Sequence, residues 1–318
     1  MDQWPAIFPT GAGAWRGDGE GVYSGGPRRG VAAGGRGVAA NPDRLSYHQP
    51  VLLRMVDTVS PPTTLAGMQA VKDAGIDVIA IYVPGWGAAL TAGYGDNSKV
   101  AGRLAVQVGL GVFPILDPNH PTLAETVGNG LPAFRVGVGF AEAFLASIGL
   151  GSAPAACGGF DIEEGDFTSN PAVAGEAAAL FAEAAQGTQI QPCQYGNPNF
   201  LEQRVSILPP SQRAEAVWAA SYVGTTWPSS VASIPGLATE LWADPGQRGW
   251  QWHGGINYAG DNFDLSVIEF PVFMPPAPDP PPAPAVNLAA LRTALQSASA
   301  AASQVATALA AAESALGS

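Results

Sequence analysis

The segment Phe160-Asp161-Ile162-Glu163-Glu164-Gly165-Asp166 sets two carboxylates two residues apart, at Asp161 and Glu163. On an extended chain such residues project to the same side. Both would face one mouth, while Glu164 turns away or begins a loop. Paired acids are the apparatus of glycoside hydrolysis: one protonates the leaving oxygen, and the other attacks, stabilises positive charge or activates water. Repulsion between them raises the pKa of one, which is what a general acid needs near neutral pH. A bare D-x-E triplet serves equally well as a capping Asp with solvated loop acids, so the elements around it must decide.

Those elements alternate. Apolar runs resembling strands are "LLRMVDTV", "IDVIAIYVPG", "LGVFPILDP", "CGGFDIEEGD", "TQIQPCQYGNP", "AVWAASYVG", "RGWQWHG" and "NFDLSVIEF". Most are separated by amphipathic segments with helix caps, such as "LAGMQAVKDAG" and "NPAVAGEAAALFAEAAQG". Eight units in about 220 residues predict an α/β fold, a (β/α)8 TIM-type barrel with parallel strands, right-handed crossovers and the last helices shortened or missing. A doubly wound open sheet is the alternative. In such a barrel the strand ends carry the chemistry. They hold Asp57 on strand one, Asp117 and His120 on three, Asp161, Glu163, Glu164 and Asp166 on four, Tyr195 and Asn197 on five, Tyr222 on six, Trp250 and Trp252 on seven and Asp264 on eight. Asp57 and Asp264 would adjoin where the barrel closes. Trp86, Trp252, Tyr195 and Tyr222 are candidate subsite walls, because aromatic faces stack on sugar C–H surfaces.

Composition narrows the classes. The chain has 318 residues, 47% hydrophobic and 13% charged, with a net charge of −12 and only two lysines, Lys72 and Lys99. A nucleic-acid binder would show a basic face, so no nucleic-acid partner is expected. No membrane span is visible, and the first residues lack the basic and apolar regions of a signal peptide. Cys157 and Cys193 lack metal-ligand spacing and read as buried free thiols. His48, His120 and His253 are scattered. No cofactor and no metal are expected.

The chain divides into four parts. Residues 1–50 are a Gly/Arg-rich extended arm, with Trp4, Phe8, Trp15 and Tyr23 as possible anchors to a neighbour. Residues 51–274 are the barrel and carry the whole of the −12. Residues 275–286 are a proline-rich linker expected to form a semi-rigid polyproline II spacer. Residues 287–318 are an Ala-rich helix. Its positions Leu288, Leu291, Leu295, Ala298, Ala302, Val305, Leu309, Ala312 and Leu316 alternate spacings of three and four without a slip. That is a coiled-coil seam and predicts self-association through residues 287–316, the alternative being an Ala-rich helix packed on its own barrel.

The ordered set "MVDTVS", "FDIEEGD", "QYGNP", "WAASYV", "GWQWHG" and "FDLSVI", spread over residues 51–272, resembles the family 25 glycoside hydrolases, the lysozyme-type muramidases. It is closer still to the related glycoside-hydrolase-like domain of actinobacteria and their phages. The resemblance implies cleavage of peptidoglycan glycan between N-acetylmuramic acid and N-acetylglucosamine. Glu163 would be the general acid and Asp161 its partner, with Asp57 and Asp264 completing the cluster. It leaves open whether an Asp or the substrate's N-acetyl group serves the second step. Two departures stand out: strand three ends in "LDPNHP", without the lysozymes' aromatic-His pattern, and Ser221 stands where they often carry His. The flanking segments and the Lys-poor, Ala/Gly/Pro-rich composition resemble an actinobacteriophage minor tail protein, whose arm would dock on other virion proteins. The alternative is a non-catalytic virion protein that binds cell wall through a degenerate barrel.

Overall fold

The computed structural model describes residues 51–87, 95–118, 122–224, 226–238, 241, 242, 244–258, 261–276 and 288–316. The arm of residues 1–50, His120 and most of the proline linker lie outside these residues.

Eight strands close into one barrel in sequence order: β1 Leu53–Asp57, β2 Val78–Tyr82, β3 Gly111–Leu116, β4 Ala156–Phe160, β5 Ile190–Gly196, β6 Ala216–Ala220, β7 Arg248–Tyr258 and β8 Asp261–Ile268. The α/β TIM-like architecture therefore holds. The first four crossovers carry helices: α1 Leu65–Asp73, α2 Gly95–Val108, α3 Leu123–Gly128 with α4 Leu131–Ser147, and α5 Glu164–Ser169 with α6 Pro171–Ala184. Their ends follow local chemistry. Thr64 caps α1 by accepting from Gly67 N–H at 3.1 Å, and Gly75 leaves it at φ +79°. Asn170 caps α6, with Pro171 in its first turn. After β5 the connections thin to short helical turns at 198–205, 210–212 and 245–247.

The expectation of an all-parallel sheet is corrected at β8. It runs antiparallel to both β7 and β1. Tyr258 pairs with Asp261, so only two residues join β7 to β8. A parallel crossover needs a dozen or more residues, and the connection is far too short for one. Reversal brings the first half of β8 to the end of the barrel where β1 and β4 finish.

Strand alternation separates two cores. Met55, Val78, Phe113, Cys193, Trp218 and Phe270 fill the barrel interior, while the residues between them meet the helices. Trp218 is the interior's hub. Its indole N–H donates to Ser266 Oγ at 3.0 Å, and its ring packs edge-on to Phe113 with centroids 5.6 Å apart. Gly159 opposes Phe113 so closely that a Cβ would sit 2.7 Å from the ring. Truncating Trp218 to Ala empties this layer and is expected to cost about 3–5 kcal/mol, as read by urea denaturation. A loss below about 1 kcal/mol would contradict a packed interior.

The last described element is α7, Leu288–Leu316. Its described side chains from Leu291 to Glu313 are all exposed.

Candidate functional site

Antiparallel pairing sets Asp57 of β1 directly opposite Asp264 of β8. Directly paired strand residues project to one face, here the interior at the barrel mouth. Gln251 of β7 reaches across to both, its Nε2 donating to Asp57 Oδ2 at 3.2 Å and to Asp264 Oδ2 at 3.1 Å. Its Oε1 accepts from Tyr195 Oη at 2.7 Å and Tyr222 Oη at 3.0 Å. Both amide protons and both carbonyl lone pairs are thereby used. Asp264 Oδ1 also accepts the Gly255 N–H at 2.7 Å, from the bulged stretch of β7.

The opposite side of the mouth comes from β2, β3 and β4. Strand alternation continues past β4: Asp161 is buried towards the interior, Ile162 is buried against the helices, and Glu163 is exposed. The Asp161 backbone N–H donates to Leu116 O at 2.9 Å, holding the chain to β3. Tyr82 Oη donates to Asp161 Oδ2 at 3.4 Å. Glu163 then caps α5 in a capping box with Asp166, whose Oδ2 accepts the Glu163 N–H at 3.1 Å. This fixes the backbone that carries Glu163, and it gives Asp166 a positioning role. Asp117 is buried at the end of β3, its carbonyl pressed against Gly87.

The charges converge. Asp57 is held well above the ordinary carboxylate range, chiefly by burial, then by the charge of Asp264; the Gln251 hydrogen bond pulls it back, and Glu163 adds a smaller push. Asp264 is raised by burial and pulled back by the Gly255 N–H and by His253. Burial pushes Tyr222 up to about 12. Tyr82 and Tyr195 are also raised, first by burial and next by Asp161. Glu163 contributes to Asp57, Tyr82, Tyr195 and Tyr222 alike, so its charge overlooks the mouth from above four strands.

The raised Asp57 has a consequence for stability. Its proton is held more tightly in the folded chain than in the unfolded one. The stabilisation is complete below the ordinary Asp value of about 3.9 and is lost as pH rises through the raised value. Asp57→Asn, permanently neutral, is expected to melt later than the wild type at neutral pH, by the order of 1–2 kcal/mol. The gap should close under acid conditions, in melting curves recorded across pH. An advantage over wild type that is no larger at neutral pH than in acid would refute the assignment.

The structure brings together Asp57, Asp264, Asp161, Glu163, Tyr195 and Tyr222. It sets two expected subsite walls elsewhere. Trp86 is 9% exposed and packs between Phe134 and Phe160, with centroids 6.1 and 6.3 Å away, against Gly137 of α4. Trp252 is 2% exposed and lies edge-on to Trp227 at 5.5 Å. Trp86 packs in the layer between strands and helices, and Trp252 packs outside the barrel against Trp227 and Gly224 of the connection from β6 to β7. Tyr195 is itself 7% exposed, leaving Tyr222, at 57%, as the accessible ring of the four. The sequence reading missed Gln251 and Tyr82. Gln251 lies between Trp250 and Trp252, and alternation alone turns it inward once those two face out. Tyr82 ends β2 as the acids end β1 and β4.

Cys157 and Cys193 are buried free thiols on β4 and β5, and burial raises both above the ordinary thiol range. That keeps them protonated and unreactive. Among the described residues no three His, Cys, Asp or Glu side chains gather as a metal site, and no helix is long and apolar enough to cross a membrane.

No family model matches the sequence, and no curated protein is significantly similar to it. Solved structures do share features with it. An uncharacterized protein of B. stearothermophilus is similar over 68% of this chain and 95% of its own, at 16% identity and a TM-score of 0.46. A Tat-secreted protein of Mycobacterium tuberculosis, crystallised with L-tartrate, is similar over 70% and 98%, at 12% identity and a TM-score of 0.45. A family 25 glycosyl hydrolase of Bacillus anthracis is similar over 68% and 88%, at 13% identity and a TM-score of 0.41.

Proposed function

We propose that the barrel mouth is a glycosidase site of the muramidase type, acting on the glycan of peptidoglycan. The observation that carries this reading is the exposed Glu163, set by its cap over a mouth where one glutamine holds the buried Asp57 and the half-buried Asp264 together. Glycosidic cleavage passes through a positively charged, oxocarbenium-like state. Buried carboxylates beneath it favour that charge, and they need no reorganisation because hydrogen bonds already fix them. Glu163, exposed to the cleft, is the residue able to reach a leaving-group oxygen and give it a proton. Asp161, steadied by Tyr82 and the β3 backbone, orients the sugar or stabilises the transition state. Tyr222 offers the sugar an exposed face. The chemistry uses these side chains and water, without a cofactor.

The test is a digest of purified actinobacterial peptidoglycan by the full chain, followed by mass spectrometry of soluble products. Fragments ending in a reducing muramic sugar are expected. Intact glycan at every pH and salt concentration would overturn the reading.

The burial of Trp86 and Trp252 favours a second reading, because of the four candidate walls it leaves only Tyr222 well exposed. In that reading the barrel binds wall glycan or fills a structural position without cutting. We also read the chain as a minor tail component of a phage virion that carries the barrel to the cell wall. Its composition and flanking segments support this, and mass spectrometry of purified particles tests it.

A further inference from the structure

Helix α7 is the longest of the described elements, and the described residues leave its apolar stripe exposed. Leu291, Leu295, Val305 and Leu309 are 52–64% exposed. A lone helix gains little stability from propensity, so such a stripe calls for a partner. The order of residues along the stripe says which partner, and in which direction. Written as heptads, Leu295, Ala302 and Leu309 take a positions, and Leu291, Ala298, Val305 and Ala312 take d positions.

A parallel pair stacks each residue on itself. Leu295 would meet Leu295, and two successive layers, Ala298 and Ala302, would be alanine on alanine. The helices would have to separate and approach within two turns. An antiparallel pair stacks each a on a d of the other helix. Leu295 then meets Ala312, Ala298 meets Leu309 and Ala302 meets Val305. By symmetry all six layers from 295 to 312 join one alanine to one larger side chain. The spacing is uniform, and interdigitation leaves no void.

Charge selects the same orientation. Residues 287–318 contain one base, Arg292, and one acid, Glu313. Both follow a d position and so occupy e. In antiparallel pairs e flanks e, which sets Arg292 beside Glu313 of the second copy, twice per pair. In a parallel pair e flanks g, and these charges would face Asn287 and Ala308 instead.

We infer that α7 binds α7 of a second copy of this chain, antiparallel, with Leu295 layered on Ala312 and Arg292 beside Glu313 of the second copy. The contact is isologous and closes at two chains. It is independent of what the barrel does.

Sedimentation equilibrium of the full chain at micromolar concentration is expected to give a dimer, and deletion of residues 287–318 a monomer. Arg292→Glu or Glu313→Arg alone should weaken the dimer roughly three- to tenfold, since each puts like charges on both flanks. The double reversal should restore it. Ala298→Cys alone should form no interchain disulfide under mild oxidation, because its own copy lies several turns away. Mixed with a Leu309→Cys chain, it should form one readily. The native thiols are buried and do not compete. A monomer or trimer, a dimer that survives the deletion, an Ala298→Cys self-disulfide, or a double reversal that stays weak would each overturn the inference.

Discussion

Glu163→Gln is expected to reduce glycan cleavage by roughly 10²- to 10⁴-fold, the range that general acid catalysis supplies. The amide keeps the size of the acid and most of its hydrogen bonding, but it has no proton to give. The loss should therefore fall on kcat, with binding to insoluble wall little changed. Glu163 is exposed and its backbone is held by Asp166 rather than by the site, so the variant should melt within about 0.5 kcal/mol of wild type. The assay is release of soluble muropeptides over time. Equal rates for variant and wild type would remove Glu163 as the acid. Equal absence of products would favour the binding or architectural reading.

Gly87→Ala should produce the largest loss of stability of any single methyl added to the described chain. Gly87 sits at φ +58°, and a Cβ there would lie 1.9 Å from the Asp117 carbonyl oxygen and 3.0 Å from Pro118 Cα. Neither neighbour is a flexible side-chain end. The loop or the end of β3 must move, and Asp117 moves with it. The left-handed conformation alone costs an alanine about 1–2 kcal/mol. Backbone overlap should take the total beyond about 4 kcal/mol, which is exceptional for one substitution. Gly109→Ala is the matched control: it has φ +79° with nothing within 4 Å of the added carbon. It should show the conformational cost alone. If the two variants lose equal stability in urea denaturation, the close approach at Asp117 is wrong.

Much of this barrel is legible in the chain. Apolar runs alternating with capped helices mark β1 to β6, and the two-residue spacing of Asp161 and Glu163 survives as Asp161 inside and Glu163 at the mouth. Asp57 and Asp264 meet because closure joins the first strand to the last. Strand direction was harder to read, since alternation has the same period either way. The cue for β8 lies in the length of the connection: two residues separate Tyr258 from Asp261, too few for the crossover that a parallel neighbour needs. The tryptophans misled for a related reason. The chemistry of Trp252 suits a sugar-binding wall, whereas the parity of β7 sends it outward and Gln251 inward. Trp86 follows β2 in a loop, and only the packing of Phe134 and Phe160 around it reveals a core residue. No local pattern announces such contacts.

The reversed last strand also dictates when the acidic site can come into being. Gln251 and Asp57 are 194 residues apart in the chain, and Asp264 lies further on still. Contacts of such separation form late, because the loop-closure entropy is met before they reward it. While the chain is being synthesised, β1 to β6 can pair with their neighbours, but the edges of β1 and β6 stay open. Only after residue 268 emerges can the hairpin of β7 and β8 dock between them. That single event seals both edges and brings Asp57, Gln251 and Asp264 together. A nascent or truncated chain therefore holds every residue of β1 to β4 and yet has no acid pair until translation has passed the barrel's final strand.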